Sequence, residues 1–194
     1  MSWFTRTVFV SLVAAVVLAG LAAIYLLWEQ GDADDEGAAP LAGVEKFMPS
    51  DNAAPAPPIA FEDGERRRLT LADFRGQIVL LNFWATWCAP CIRELPSLDR
   101  LQAQLKSSGV TIIALSLDRS GATAVKAFFA EHGIHNLGVY VDPTMDAQAA
   151  LKIPGLPTTV LIDPAGHDRG RLIGPADWTS EAAAQLVLSA GKDH

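Results

Sequence analysis

The hydrophobic positions in the carboxyl-terminal two thirds of the chain follow two patterns. Near-continuous apolar runs of strand length occur at 77–83 and 110–117, which is typical of strands buried on both faces. Between these runs, apolar side chains recur at three- and four-residue steps, the spacing of one helix face: Cys91, Leu95, Leu98, Leu101 and Leu105. The pattern therefore predicts a strand, a helix ended by Gly109, and a second strand.

The rest of this region continues the alternation of strands and helices. We predict helices at 122–132, 144–151 and 180–190, and strands at 137–141, 158–163 and 169–174. The last two strands are joined by a Pro-Ala-Gly turn. Because strand-helix units come first and a hairpin plus a helix come last, we predict an α/β fold with a mixed β-sheet flanked by helices.

The amino-terminal segment is a candidate membrane span. Residues 8–28 are apolar at all but two positions, and a helix of this length measures roughly 31 Å, close to the thickness of a hydrocarbon core. Arg6 precedes the run and acids follow it, so the positive-inside rule places the amino terminus in the cytoplasm and the rest outside. We predict that residues 1–28 are a signal anchor or transmembrane helix, with a cleaved signal peptide as the alternative.

Charge and proline separate this span from the rest of the chain. Residues 29–58 contain seven acids, one lysine and five prolines, which predicts an acidic Pro/Ala-rich linker. The short segment 41–48 has the alternative of belonging to the domain as one amphipathic turn. Residues 59–194 then form the folded domain. The whole chain has a net charge of −7 and a pI near 5.0, which argues against a general nucleic-acid binder.

The candidate chemistry lies in the two cysteines of the chain. Two cysteines exclude a disulfide-rich scaffold and a four-cysteine zinc site. Cys88 and Cys91 follow a buried strand and open a helix, where unpaired N–H groups and the helix dipole stabilise a thiolate. Pro90 suits the first helical turn. We predict a redox-active pair: in the reduced form Cys88 attacks a partner's disulfide, and Cys91 resolves the mixed disulfide to leave the Cys88–Cys91 disulfide.

Other uses of this pair fit the sequence less well. A structural disulfide three residues long closes almost no loop and would stabilise little. Two buried, inert cysteines fit poorly with a helix start. A c-type haem site needs histidine where Ile92 stands, and no histidine lies at metal-ligand spacing from the cysteines. Redox use remains the best interpretation.

Several motifs resemble one known family. Residues 82–91 (NFWATWCAPC), 94–96 (ELP) and 155–158 (GLPT) are similar to the membrane-anchored thioredoxin-like proteins of the TlpA/ResA type. The likeness covers about 58–194, and the motif GPADW at 174–178 is closer to the TlpA branch. The resemblance implies a thioredoxin fold with an extra helix and strand, near 122–141 here, between the CxxC helix and a cis-proline loop.

The same resemblance implies an extracytoplasmic protein-disulfide reductase. Such a protein is tethered to the bacterial inner (cytoplasmic) membrane as a single-pass protein, with its domain in the periplasm. Its clients are apocytochrome c, or copper-chaperone and oxidase assembly proteins. A membrane electron donor of the DsbD or CcdA type re-reduces it. No cofactor, metal or nucleic acid is implied.

The resemblance also assigns roles around the cysteines. It implies that Pro157 is cis and faces the disulfide, and that the backbone at Leu156 pairs with the bound substrate. Asn82 departs from thioredoxin, which has a buried aspartate there, and this shifts the role of proton acceptor for Cys91 onto Glu94, one helical turn away. The alternative for Glu94 is a solvated helix-face acid or an ion-pair partner for Arg93 or Arg100.

Two tryptophans flank the loop before the helix. Trp84 and Trp87 are expected to pack, and Trp87 is also expected to shield the sulfur and to form part of a docking surface with Pro90.

The residues between the cysteines bear on the direction of electron flow, and three rival functions stay open. Ala89-Pro90 lacks the histidine found between the cysteines of strongly oxidising relatives, which favours a reductant. The main rival is a copper metallochaperone or metal-binding module on a related fold, which usually needs wider cysteine spacing and a dedicated histidine. A thiol peroxidase and a structural module without redox turnover are the other two.

Overall fold

The computed structural model describes residues 43–192, together with Gly20. The predicted anchor at 1–28 and the first part of the linker lie outside the described residues, apart from that one glycine. Within the part of the chain that is described, no helix combines the length and the apolar character needed to cross a bilayer.

The described residues form eight strands and four α-helices. The strands are β1 (Met48–Pro49), β2 (Ala60–Asp63), β3 (Arg68–Thr70), β4 (Ile78–Trp84), β5 (Val110–Ser116), β6 (Tyr140–Val141), β7 (Thr158–Ile162) and β8 (Asp168–Ile173). The helices are α1 (Ala89–Leu105), α2 (Gly121–Glu131), α3 (Asp146–Ala150) and α4 (Glu181–Ser189). Single 3₁₀ turns occupy Val44–Lys46 and Leu71–Phe74.

All eight strands join one sheet in the order β1-β8-β7-β4-β5-β6-β2-β3. Strands β4, β5 and β6 run parallel, whereas β7 pairs antiparallel with β4 and with β8. The prediction of a mixed sheet is therefore confirmed. Strand β4 is buried along its whole length between two neighbours, so its carboxyl end leads the chain out of the centre of the sheet.

The core has two layers because successive side chains of a strand point to opposite faces. Leu80 of β4 belongs to the hydrophobic cluster that includes the buried face of α1, while the adjacent Leu81 belongs to a second cluster with Phe61 and Leu151. The heptad-like apolar spacing of the sequence corresponds to the buried face of α1, as predicted. This burial fixes α1 at the carboxyl end of β4, where the cysteines lie.

Two features differ from the sequence prediction. Residues 43–58, which the sequence places in the linker with 41–48 open as part of the domain, contact the domain: β1 pairs with β8, and Phe47 packs against the core. Their proline content suits this edge position, where a missing N–H costs no ladder bond. The hairpin of β2 and β3 was missed, because its strands are four and three residues long and rich in charge.

The region between α1 and the proline loop contains the elements expected there. Helix α2 and strand β6 lie within or next to 122–141, and β6 pairs with β5 and β2. The short helix α3 follows before β7. This part of the chain therefore widens the sheet beyond β5 and places α3 ahead of the proline loop.

Candidate redox site

Cys88 and Cys91 form a disulfide at the start of α1, with sulfurs 2.02 Å apart and Cα atoms 5.3 Å apart. Cys88 is the N-cap residue, with extended backbone, and its carbonyl accepts the first helical hydrogen bond from Ile92. Pro90 lies in the first turn, where no N–H partner is lost. The strand-to-helix junction therefore holds Cys88 at the positive end of a 17-residue helix, where a thiolate is stabilised.

The two sulfur-bearing residues differ in access. Cys88 is 6% exposed and lines an open groove, while Cys91 is 1% exposed and does not line it. A disulfide client approaching through the groove would reach Cys88 first. This asymmetry fits the predicted roles of an attacking and a resolving cysteine.

The groove has a volume of about 520 Å³. Its walls come from the motif loop, the end of β5, the start of α3 and the proline loop: Trp87, Cys88, Ala89, Pro90, Leu117, Met145, Gln148, Gly155 and Leu156. Trp87 is 68% exposed, so a large apolar ring stands in solvent beside the disulfide. The Leu156–Pro157 peptide bond is cis, as the resemblance implied, and Pro157 itself is buried.

The loop before Cys88 is anchored by a carboxylate that the sequence did not indicate. Asp118, buried just after β5, accepts hydrogen bonds from the Thr86 N–H at 2.9 Å and the Thr86 hydroxyl at 2.6 Å. Ser116 Oγ donates to the same carboxylate at 2.7 Å. A lone aspartate after a strand has no distinctive spacing, and only the parallel pairing of β4 with β5 brings it to Thr86.

Glu94 is fully buried, with 0% exposure, which excludes a solvated helix-face acid. Its Oε1 accepts hydrogen bonds from the Trp178 indole N–H at 2.5 Å and from the Ala176 N–H at 3.3 Å. Its Oε2 accepts from Asn82 Nδ2 at 3.4 Å. The carboxyl group is thus held from β4 and from the segment after β8.

Burial raises the pKa of Glu94 from its ordinary value of 4.5 to about 7, and hydrogen bonds from Trp178, Ala176 and Asn82 oppose that rise. Desolvation disfavours the charged form of a carboxyl group, and donors to the carboxylate favour it. The result is a group that exchanges a proton near neutral pH. A general base works best with a pKa close to the operating pH.

Asn82 links Glu94 to the neighbouring strand. Its Nδ2 also donates to Thr159 Oγ1 at 2.9 Å, and its Oδ1 has no hydrogen-bond partner within the described chain. The amide is 1% exposed. Asn82 itself takes up no proton, so Glu94 is the titrating member of this buried polar group.

The sequence missed Trp178 and Ala176 as parts of this site. Both lie in the motif GPADW, which was noted only as a family likeness. A buried tryptophan needs a partner for its indole N–H, and a glutamate at an apolar position of α1 needs donors. These two requirements were the sequence features that could have indicated a contact between Trp178 and Glu94.

Comparison with known proteins shows the family of this chain. A model of the AhpC/TSA family matches residues 53–168, more than half of the chain. The chain belongs to this family.

Two curated relatives of the AhpC/TSA chain are similar in sequence. Thiol-disulfide oxidoreductase ResA of Bacillus subtilis is 39% identical over 111 residues, which cover 57% of this chain and 61% of that protein. The same-named protein of Bacillus anthracis is 37% identical over 119 residues, which cover 61% of this chain and 68% of that relative. The chain thus spans less than two thirds of the length of the first of these relatives.

Solved structures agree with this placement. A crystal structure described as a candidate thiol:disulfide interchange protein DsbE from Chlorobium tepidum matches with a TM-score of 0.64 and 30% identity, covering 72% of this chain and 97% of that chain. The thioredoxin domain of a thiol-disulfide oxidoreductase from Bacteroides vulgatus matches with a TM-score of 0.61 and 26% identity, covering 71% and 99%. The fold is thioredoxin-like, and the two sequence relatives are named thiol-disulfide oxidoreductases.

Proposed function

We propose that this protein is a membrane-tethered, extracytoplasmic protein-disulfide reductase. The observation on which the proposal rests is the cysteine pair at the start of α1, where Cys88 lines a groove and Cys91 lies behind it in the core. The pair and its exposure difference supply a nucleophile and a resolving thiol. The names of the sequence relatives, all thiol-disulfide oxidoreductases, support the same reaction class.

The reaction begins from the reduced pair. The Cys88 thiolate attacks one sulfur of a client disulfide, a mixed disulfide forms, and the other client sulfur leaves as a thiolate that takes up a proton. Cys91 then gives its proton to the Glu94 carboxylate and attacks Cys88 Sγ. The Cys88–Cys91 disulfide forms, and the second client thiol is released. Two electrons pass from the cysteine pair to the client.

Return to the reduced state needs a dithiol donor. We propose a membrane donor of the DsbD or CcdA type for this step, and client proteins of cytochrome c maturation or of copper-centre assembly, as the family resemblance implies. The groove beside Cys88 would take an extended client segment against Leu156 and the exposed ring of Trp87.

Location on the outer side of a bacterial inner membrane is part of the proposal. The apolar run at 8–28 is long enough for a bilayer, Arg6 precedes it, and the acidic stretch follows. A reporter fused after His194 tests the orientation. Activity of an alkaline phosphatase reporter supports an extracytoplasmic domain, and activity of a cytoplasmic reporter alone contradicts it.

Trapping the mixed disulfide tests the reaction. In the Cys91→Ser variant the mixed disulfide with Cys88 lacks its resolving thiol, so we expect client adducts to accumulate and to disappear on reduction. Non-reducing gels and mass spectrometry of the adducts measure this. Cys88→Ser is the matched control and should trap nothing. Equal adduct formation in both variants would contradict the assignment of Cys88 as nucleophile.

The direction of electron flow has its own measurement. Equilibration of the protein with a glutathione redox buffer gives its reduction potential. Potentials in this fold extend from about −270 mV for reductants to about −120 mV for strong oxidants. A value near the oxidising end would contradict a reductase while leaving the exchange chemistry intact.

A further inference from the structure

The segment after β8 reaches into the interior beside α1. Within this segment the Ala176 N–H and the Trp178 indole N–H both point at Glu94 Oε1, at 3.3 and 2.5 Å. The Trp178 backbone N–H donates to Ser97 Oγ at 3.2 Å, and Ser97 Oγ donates to the Glu94 carbonyl at 2.7 Å. Trp178 is fully buried. The segment is therefore tied to Glu94 through both its side chain and its backbone.

The two oxygens of Glu94 are not equivalent. Oε1 already accepts from two N–H donors, so a proton placed there would displace one of them. Oε2 has one long contact, at 3.4 Å, with Asn82. The proton of the neutral carboxyl group therefore belongs on Oε2.

Asn82 contacts that oxygen through its amide N–H. Its Nδ2 donates to Glu94 Oε2 at 3.4 Å and to Thr159 Oγ1 at 2.9 Å. A donor at Oε2 favours the charged form of the carboxyl group, and a contact as long as this one is weak.

We propose that Trp178 is a positioning residue of the redox site: its indole N–H, with the Ala176 N–H, fixes Glu94 Oε1 and leaves Oε2 as the oxygen that takes the proton of Cys91. This inference rests on the proposed function and adds to it a residue 84 positions away from Glu94 in sequence. It gives the motif GPADW a role in the chemistry.

Among the residues that the structure describes, the raised pKa of Glu94 has burial as its cause, opposed by hydrogen bonds from neutral donors. The groups that contact it, from β4 and from the segment after β8, are neutral amide and indole N–H groups. On α1, Cys91 is the titratable neighbour one turn earlier, whereas Asp99 binds the backbone of residues 135–137. Asp177 is partly exposed and accepts from Thr179.

The test is Trp178→Phe in the full chain, with Trp84→Phe as the matched control. Trp84 is also fully buried and also donates its indole N–H, but to the Ala114 carbonyl at 3.1 Å. Both variants lose one buried indole donor, and only Trp178→Phe removes a donor to Glu94.

Two measurements report the protonation of the Glu94 carboxyl group and its effect on the reaction of Cys91. Infrared or ¹³C NMR titration of the Glu94 carboxyl should give a midpoint about one pH unit higher in Trp178→Phe, since a donor to the charged form is lost. The rate at which Cys91 resolves a preformed Cys88 mixed disulfide should fall roughly fivefold at pH 7 and equal the wild-type rate well above the shifted midpoint. Trp84→Phe should leave unchanged both the midpoint of the Glu94 titration and the resolution rate at pH 7.

The outcomes separate the two proposals. A Cys91→Ser variant with Trp178 intact that traps no mixed disulfide through Cys88 overturns the proposed function. A wild-type protein that exchanges disulfides, with midpoints unchanged in Trp178→Phe, overturns the positioning role alone. If Trp178→Phe does not fold, Ser97→Ala replaces it, because this variant removes the acceptor of the Trp178 backbone N–H. A smaller upward shift of the Glu94 titration midpoint supports the proposal, and an unchanged midpoint overturns it.

Discussion

Glu94 lies in the interior of the domain, and its carboxyl group accepts hydrogen bonds from three neutral donors of the described chain. An ionised carboxyl group in that setting is poorly solvated. Burial of Glu94 therefore costs stability at one position of a largely apolar helix face. The position is one turn from Cys91, where a group that gains and loses a proton near neutral pH is useful to thiol chemistry.

Ionisation of Glu94 should make the wild-type protein less stable as the pH rises. The unfolded chain loses this proton near pH 4.5 and the folded chain near pH 7, so between these values the folded state binds more protons and the free energy of unfolding falls. The total loss from this group is about 3 kcal/mol. In Glu94→Gln it should be absent. Denaturant unfolding of both proteins from pH 4 to pH 8 measures the difference, and parallel curves would contradict the assignment.

At the scale of elements, the junction between β4 and α1 is fixed from outside the motif. Asp118 binds the backbone and side chain of Thr86, two residues before Cys88. Asp99 binds backbone N–H groups in the same way, but at His135, Asn136 and Leu137. Both carboxylates therefore accept hydrogen bonds from backbone N–H groups, but Asp118 binds the loop before Cys88 and Asp99 binds residues 135–137.

Loss of either carboxylate should destabilise the protein, and only one loss should affect the redox loop. We expect Asp118→Ala and Asp99→Ala each to cost about 1–3 kcal/mol, because buried N–H donors lose their acceptor. Hydrogen exchange at the Thr86 amide should accelerate roughly tenfold in Asp118→Ala alone, together with slower exchange with a client disulfide. Unchanged protection of Thr86 would show that Asp118 does not hold the loop.

Long elements with regular apolar spacing were predictable from the sequence. Strands β4 and β5 lie within one residue of their predicted bounds, because each buries a continuous set of apolar side chains. Helix α1 buries its predicted apolar face but ends at Leu105, before the Gly109 that was predicted to end it. The Cys88–Cys91 pairing followed from their position at a helix start. The contacts of Glu94 did not follow, because Trp178 lies 84 residues away and its approach depends on how the whole sheet packs.

At the scale of the molecule, the least predictable part is the start of the folded unit. Residues 43–58 look like a linker because they are rich in proline and poor in apolar periodicity. In the structure they run beside β8: Ser50 N–H donates to the Arg169 carbonyl at 3.0 Å, and Ala56 N–H donates to the Gly166 carbonyl at 2.9 Å. The segment covers an edge strand that would otherwise present unpaired backbone groups.

Two truncated chains, beginning at residues 43 and 59, test whether this segment belongs to the domain. Loss of the β1–β8 pairing and of the Phe47 contact should cost about 2 kcal/mol and lower the melting temperature by several degrees in the shorter chain. Thermal unfolding measures this, and equal melting temperatures would place the boundary at residue 59.

Gly170 offers a second test, a point substitution compared between the two truncated chains. This glycine has a φ of +139°, and a Cβ atom there would collide with the Met48 carbonyl oxygen. Gly170→Ala strains the backbone in both truncated chains, but it collides with β1 only in the chain that begins at residue 43. We therefore expect a larger loss of stability in the longer chain. Because the backbone strain is common to both, the difference between the two losses measures the contact with β1. Equal losses would mean that β1 does not hold this close approach in solution.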